Sequence, residues 1–241
     1  MRILALETST REASVALLER DRLVSQTILD SGQRTASGLA PAMAEQLRVA
    51  GWRASELDLI LVSQGPGSFT GLRVGVTAAK TLAYAVGAAV LGVNTLEVIA
   101  HQVDGDWPRL DVVMNAQRQQ VFAACYRCRG AIREVLEPPR ILDDQAWLDS
   151  LALDASPGGA SGDEPTRLVT GAGLSRLRAH LPDGVRVASP DGWSPRAVAV
   201  GRLGFHLYRA GRRDDLWKLA PHYFRPSAAE EVWETQGKGA R

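Results

Sequence analysis

Short apolar runs separated by polar breaks open the chain. Residues 3–7, 13–18 and 23–29 are three such runs, joined by the five residues 8–12 and the four residues 19–22. Connections this short join antiparallel strands. After a break at Ser31-Gly32-Gln33-Arg34, the residues Leu39, Met43 and Leu47 share one face of a helix expected over about 37–50, with Gly51 as its stop. Residues 57–62 are apolar, partly β-branched, and end at Gly65-Pro66-Gly67, the pattern of a buried strand that runs into a tight turn. Thr70 is placed to cap the following helix, which passes Gly71, Val76, Lys80 and Ala83 and stops at Gly87. A further apolar run at 88–91 and a helix capped by Thr95 follow.

The resulting order, β-β-β-α-β-α-β-α, is that of a ribonuclease H-like fold. A boundary is expected near Asp104-Gly105-Asp106-Trp107-Pro108, and beyond it residues 110–114, 120–126 and 132–136 read as three more strands, ended by Glu137-Pro138-Pro139. A short helix near 143–151 leads to residues 154–165, a stretch too polar and too rich in glycine and proline to pack, read as a mobile surface insertion. A strand at 167–170, a helix to His180, a strand at 185–188 and a helix opened by Ser194-Pro195 complete the pattern. Two related lobes are expected, residues 1–104 and a looser 105–225, with a tail over 226–241.

Gly71, Gly75, Ala79 and Ala83 recur every fourth residue and set a stripe of small side chains along one helix face. Glycine inside a helix costs about 1 kcal/mol against alanine, so the stripe points to close approach of another helix, from this chain or from another subunit. A length of 241 residues can bury a sizeable core, and the net charge of +1 gives no global field toward nucleic acid or membrane. No apolar run approaches ~18 residues, and the first one meets Glu7 at once, so a cytoplasmic protein is expected. Cys125 and Cys128 stand as C-x-x-C within a strand-like run, where their thiols point to opposite faces and serve as two unrelated small residues. His101, His180, His206 and His222 are scattered, without paired metal-ligand spacing.

Two chemical readings of the glycine turn fail on spacing. The segment 65–71 lacks the Gly-Lys-Ser/Thr ending of a phosphate loop, and Thr70 occupies the third glycine position of Gly-x-Gly-x-x-Gly. Ser68 is no nucleophile elbow, because Pro66 stands two residues before it. The basic residues Arg202, Arg209, Arg212, Arg213, Lys218 and Arg225 read as a solvated face, and the aromatic residues Phe205, Tyr208, Trp217, Tyr223 and Phe224 around them as core.

Four segments together resemble the TsaB (YeaZ) family: Met1-Arg2-Ile3-Leu4-Ala5-Leu6-Glu7-Thr8-Ser9-Thr10, Gly65-Pro66-Gly67-Ser68-Phe69-Thr70-Gly71-Leu72-Arg73-Val74-Gly75, Gly92-Val93-Asn94-Thr95-Leu96 and Pro221-His222-Tyr223-Phe224-Arg225. The resemblance spans nearly the whole chain. It implies two ribonuclease H-like lobes of the actin/Hsp70/sugar-kinase-like superfold, an α/β class with mixed sheets and flanking helices. It also implies a role in making threonylcarbamoyladenosine in tRNA, as a non-catalytic subunit that activates the catalytic paralogue TsaD. That paralogue carries a metal site of two histidines on one helix, and this sequence has no His-x-x-x-His. Family members pair with TsaD through their first two helices. Leu39, Met43, Leu47, Gly71, Leu72, Gly75, Ala79 and Ala83 are therefore the expected partner-binding residues, with Gly65, Pro66, Gly67, Ser68 and Thr70 as the turn that launches the second helix. Gly75→Leu is then expected to abolish pairing and leave the lone chain folded.

No catalytic residue, metal or cofactor is expected on this chain; ATP and a divalent metal belong to the partner. The ATPase TsaE and tRNA join through the complex, and whether the chain alone forms a homodimer is left open. The alternative is an ATP-binding or ATP-hydrolysing enzyme of the same superfold. The sequence departs from the family at three places. Glu7 replaces the usual Asp and no glycine follows it. Arg34-Thr35-Ala36-Ser37 lacks the usual His. Asn115-Ala116-Gln117-Arg118-Gln119-Gln120 carries amides where the family carries charges.

Overall fold

A computed structural model describes residues 1–30, 35–153 and 167–225. Strands β1 (Arg2–Glu7), β2 (Ser14–Glu19) and β3 (Arg22–Ile28) form the expected meander, with Ile3 opposite Leu18 and Leu6 opposite Val15. Helix α1 (Thr35–Ala50) returns the chain to β4 (Leu59–Gly65), which lies parallel to β1. Helix α2 (Phe69–Val86) leads to β5 (Ala89–Asn94), parallel to β4, and α3 (Thr95–Ala100) closes this half. The sheet order is β3-β2-β1-β4-β5.

The second sheet repeats that order. Strands β6 (Trp107–Gln117), β7 (Gln120–Arg129) and β8 (Ile132–Asp143) form a meander, followed by α4 (Asp144–Leu153) and β9 (Arg167–Thr170). Helix α5 (Leu174–Leu177) then precedes β10 (Arg186–Val187) and α6 (Ala197–Arg209). Read from its far edge the order is β8-β7-β6-β9-β10, strand for strand that of the first sheet. The two related lobes of the expected superfold are present.

The first sheet is covered on both faces, as its continuous apolar strands require. Leu4, Leu6, Ile60 and Val62 pack with Val76, Ala79 and Ala83 of α2 and with Leu39 and Met43 of α1. The alternate residues Ile3, Ala5, Leu59 and Leu61 pack with Val200, Leu203 and Phe205 of α6. Gly201 and Gly204 let α6 lie close, since a Cβ at either would meet Leu18 at 2.3 Å or Leu61 at 2.6 Å. The lobe expected over 1–104 therefore takes back residues that a division at 105 assigns to the second lobe. Helix α3 lies against the second sheet, with Leu96, Ile99 and Ala100 packed on Leu110, Val112 and Tyr126.

Four local expectations are corrected. Ser68, not Thr70, caps α2, accepting the Gly71 amide at 3.2 Å, and Gly87 in the left-handed region ends it as expected. Asn94, not Thr95, caps α3, accepting from Leu96 and Glu97. β8 continues through Pro138 and Pro139, because it is an edge strand whose outward side needs no N–H partner. α6 starts at Ala197, where the Ser14 hydroxyl and the Gln26 side chain accept its first two amides at 3.0 Å each. Cys125 and Cys128 are free and buried, and burial pushes the Cys125 thiol up to about 12, out of the reactive range. The expected insertion at 154–165 and the tail at 226–241 lie outside the described residues. Among those described, no helix is long and apolar enough to cross a membrane.

After α6 the chain runs back across the first lobe and then over to the second. The Gly92 amide donates to Asp214 at 2.9 Å and the Gly92 carbonyl accepts from Arg212 at 2.8 Å, so side chains complete the exposed edge of β5. Lys80 donates to the carbonyls of Trp217 and Leu219. Arg225 reaches the Ala116 carbonyl and the Gln120 side chain of the second lobe, and Phe224 packs edge-on against Phe122. Several of the basic residues expected to form a solvated face are thus ties within the chain. Arg213 likewise lies over the Tyr208 ring and donates to its carbonyl.

Candidate functional site

The turn between β4 and α2 is clamped on both sides. A Cβ on Gly67 would sit 2.5 Å from the Ser9 carbonyl, and one on Gly65, at φ +124°, would sit 2.6 Å from the His222 carbonyl. The Ser68 amide donates to the Ser9 carbonyl at 2.7 Å, and the His222 amide donates to the Gln64 carbonyl at 2.7 Å. The Gln64 side chain donates to the Ala220 carbonyl at 2.7 Å. The Gly65–Pro66 bond is cis. Only glycine permits approach this close from both neighbours. The turn forms one wall of an open cleft of about 910 Å³ between the lobes, with Ser9, Thr10 and Arg11 beside it, residues 115–118 opposite and residues 222–225 also lining it.

Glu7 does not line that cleft. It is fully buried, its Oε1 accepts from the Ser9 amide at 2.6 Å and from the Ser9 hydroxyl at 2.5 Å, and its Oε2 has no hydrogen-bond partner. In this superfold an acidic residue at the end of the first strand would hold metal and phosphate. Here the carboxylate faces inward and the Ser68 amide is already taken by the Ser9 carbonyl, so these residues do not fit a metal–triphosphate group. Burial pushes Glu7 above the ordinary carboxylate range, against the smaller opposing pull of the Ser9 hydrogen bonds. A carboxyl raised in this way contributes stability below its usual 4.5 and loses it as pH climbs through the folded value. Glu7→Gln is therefore expected to be the more stable protein at pH 7, by on the order of 1 kcal/mol. The gain should fade as pH falls from the raised folded value to the ordinary 4.5, which urea unfolding at several pH values reads directly.

The small-residue stripe of α2 faces inward. Ala79 and Ala83 are buried in the core, and a Cβ on Gly71 or Gly75 would lie 2.1 Å from the Thr8 carbonyl or hydroxyl. Leu39, Met43 and Leu72 are buried as well, and Leu47 packs half-buried against the same core. The close neighbour of the stripe is the end of β1 in the same chain, so these residues are not a free face for another subunit. The open face lies one position round the helix. Val74, Ala78 and Leu82 of α2, with Ala36, Ala40 and the edge of Met43 on α1, line a shallow apolar groove of about 580 Å³. Val74, Ala78 and Leu82 also recur every fourth residue. Their mixed sizes hid them beside the glycines, although 100° of rotation separates the two rows.

The amide-rich run of the second lobe forms its own network. Asn115 accepts the Gln117 amide at 2.8 Å, and Gln120 donates to Asp143 at 2.9 Å while accepting from Arg225. Amides thus replace charges by linking the β6–β7 hairpin to the C-terminal segment. Of the aromatic residues expected in the core, Phe205 is buried, whereas Trp217 and Tyr223 are 73% and 41% exposed. Among the described residues no three His, Cys, Asp or Glu side chains gather as a metal site.

A family model described as TsaD, tRNA N6-adenosine threonylcarbamoyltransferase, matches residues 31–159, just over half of the chain. The Bacillus subtilis (strain 168) tRNA threonylcarbamoyladenosine biosynthesis protein TsaB is 28% identical over 240 residues, covering 97% of this chain and 98% of that protein. The Haemophilus influenzae protein of the same description is 35% identical over 120 residues, 47% of this chain and 50% of that one. A Pseudomonas aeruginosa structure described as similar to peptidase YEAZ superposes with a TM-score of 0.76 at 25% identity, covering 93% of this chain and 99% of that one. With the paired sheets, the clamped glycine turn and this similarity over nearly its full length, the chain belongs to the TsaD family of threonylcarbamoyltransferase-like proteins and, in it, to the TsaB (YeaZ) group.

Proposed function

We propose that the chain is a non-catalytic subunit of the cytoplasmic machinery that makes threonylcarbamoyladenosine in tRNA, and that it pairs through the α1–α2 groove with a catalytic paralogue of the TsaD class. The observation that carries this reading is the apolar groove between two helices whose inner faces are already packed. The choice of occupant rests on kinship. A Dictyoglomus turgidum tRNA N6-adenosine threonylcarbamoyltransferase is 34% identical over 110 residues, 39% of this chain and 33% of that one. The family model spans both groove helices, so a paralogue offers the same helix pair, and like patches close on each other about a pseudo-two-fold axis. Two copies of this chain would meet the same way when no paralogue is present. ATP, its metal and the transfer chemistry then belong to the paralogue, with the ATPase TsaE and tRNA joining the complex. The inward carboxylate of Glu7 supports that division of labour.

Ala40 and Thr81 are exposed residues of the groove, so arginine at either leaves the core untouched. Ala40→Arg and Thr81→Arg are each expected to weaken co-purification with the paralogue by about 100-fold, roughly 2.7 kcal/mol, through burial of an unpaired charge. Unfolding midpoints should stay near the parent's, as is usual for surface changes. Undiminished pairing of both variants overturns the proposal. Calorimetry of the isolated chain with ATP checks the remaining point, and tight binding would favour an enzyme instead.

A further inference from the structure

We propose that the interlobe cleft binds a single-stranded segment of RNA. This rests on the tRNA-modification reading and adds a direct contact to it, at a site that meets the α1–α2 groove only at Arg73. The cleft combines two chemistries. Phe69 and Tyr223 stack with ring centroids 4.6 Å apart and planes inclined by 25°, and they keep 39% and 41% of their surface exposed. The Arg73 guanidinium lies 5.3 Å from the centre of the Phe69 ring, which extends the stack by one cation. Around this ladder the cleft presents Arg11, Arg118 and Arg225, and no Asp or Glu is among the described residues that line it.

Two of these arginines face the opening from opposite lobes. Arg11 is exposed on the β1–β2 connection and makes no hydrogen bond or ion pair among the described residues. Arg118 sits in the two-residue turn between β6 and β7, where Arg118 and Gln119 hold φ values of +52° and +58°. Such a turn prefers Asn-Gly, and side chains in this region cost on the order of 1 kcal/mol each, yet the strained turn keeps a cation at the cleft edge.

The ligand class follows from what each group can recognise. A nucleoside triphosphate with its metal needs a carboxylate and free amides at the glycine turn, whereas the Glu7 carboxylate is turned inward and the Ser68 and Gly71 amides are taken. An acidic peptide would use the arginines and leave the stacked rings without a role. A duplex keeps its bases paired and offers none to a ring. Single-stranded nucleic acid uses both features, with bases on the aromatic ladder and phosphates on the arginines.

The test is fluorescence anisotropy of the full chain with a labelled eight-nucleotide RNA. Binding should weaken with salt along a log–log slope of about −1.4, as two phosphate contacts, at Arg11 and Arg118, of roughly −0.7 each require. Arg11→Glu, Arg118→Glu and Tyr223→Ala should each raise Kd by about tenfold, with fully paired duplex controls binding poorly. Arg11→Glu changes an exposed side chain, so its result stands even if Tyr223→Ala loosens the fold. Parent-like binding by both arginine variants overturns the proposal. Displacement by millimolar ATP, or equal binding of a polyglutamate peptide with the same response to the variants, overturns it too. A DNA strand of the same sequence, binding equally, leaves single-strand recognition in place and removes its restriction to RNA. Because Arg11, Arg118 and Tyr223 line the cleft and not the groove, Ala40→Arg and Thr81→Arg should keep RNA binding, and loss of pairing is read independently of loss of RNA.

Discussion

Gly75→Leu is expected to yield an unfolded or aggregated chain rather than a folded one that fails to pair. The position has no room for a side chain. A single Cβ there would stand 2.1 Å from the Thr8 hydroxyl and 3.1 Å from two further Thr8 atoms, and Thr8 is itself fully buried at the end of β1. One extra methylene in a packed core costs about 1–3 kcal/mol, and leucine brings four heavy atoms. A loss above about 4 kcal/mol consumes much of the 5–15 kcal/mol that holds a typical domain together. Gly71→Ala should be severe for a related reason, since its Cβ would meet the Thr8 backbone carbonyl, which has no rotamer to change. Urea unfolding of purified variants measures both. A Gly75→Leu protein with a near-parental midpoint would return the stripe to the surface and undo this account of α2.

The second large effect is expected at Arg167. Its guanidinium grips Asp111 through two bonds of 2.6 and 3.0 Å, and both side chains are buried. It also reaches the carbonyls of Ser150 and Leu151 near the end of α4, so it fastens together the described residues on either side of 154–166. Arg167→Met leaves Asp111 as an unpaired charge in the second lobe and is expected to cost about 3–5 kcal/mol. The double variant Asp111→Leu with Arg167→Met removes both charges and should recover much of that loss. Denaturant titration of the two single variants and the double closes the cycle. Additive losses would mean that the pair is not coupled as its geometry requires.

Strand order and lobe repetition were legible because short apolar runs with polar breaks leave few arrangements, and both sheets follow the resulting meander-and-crossover order. Periodicity also marked the inner stripe of α2 correctly as a set of residues sharing one face. It carries no information about what that face meets, so the approach of Thr8 to Gly71 and Gly75 was not legible, and the row at Val74, Ala78 and Leu82 was passed over. Caps slipped by one or two residues where neighbouring side chains are both competent, as in Ser68 against Thr70 and Asn94 against Thr95. Nothing local to residues 197–209 says that their helix packs on the first sheet, because that contact is made with strands more than a hundred residues away. The cleft was hidden for the same reason, its rings and arginines coming from four separate stretches of chain.

That return of α6 to the first sheet sets a timetable for synthesis. The face made by Ile3, Ala5, Leu59, Leu61 and Leu91 is complete once β5 has emerged, yet its cover is the helix Ala197–Arg209. Roughly a hundred residues must still be translated, which at about 5–20 residues per second keeps an apolar sheet face open for on the order of 5–20 s. The nascent chain is therefore a client for whatever shields hydrophobic surface at the ribosome, and the first lobe is the last to finish folding although it is the first to be made.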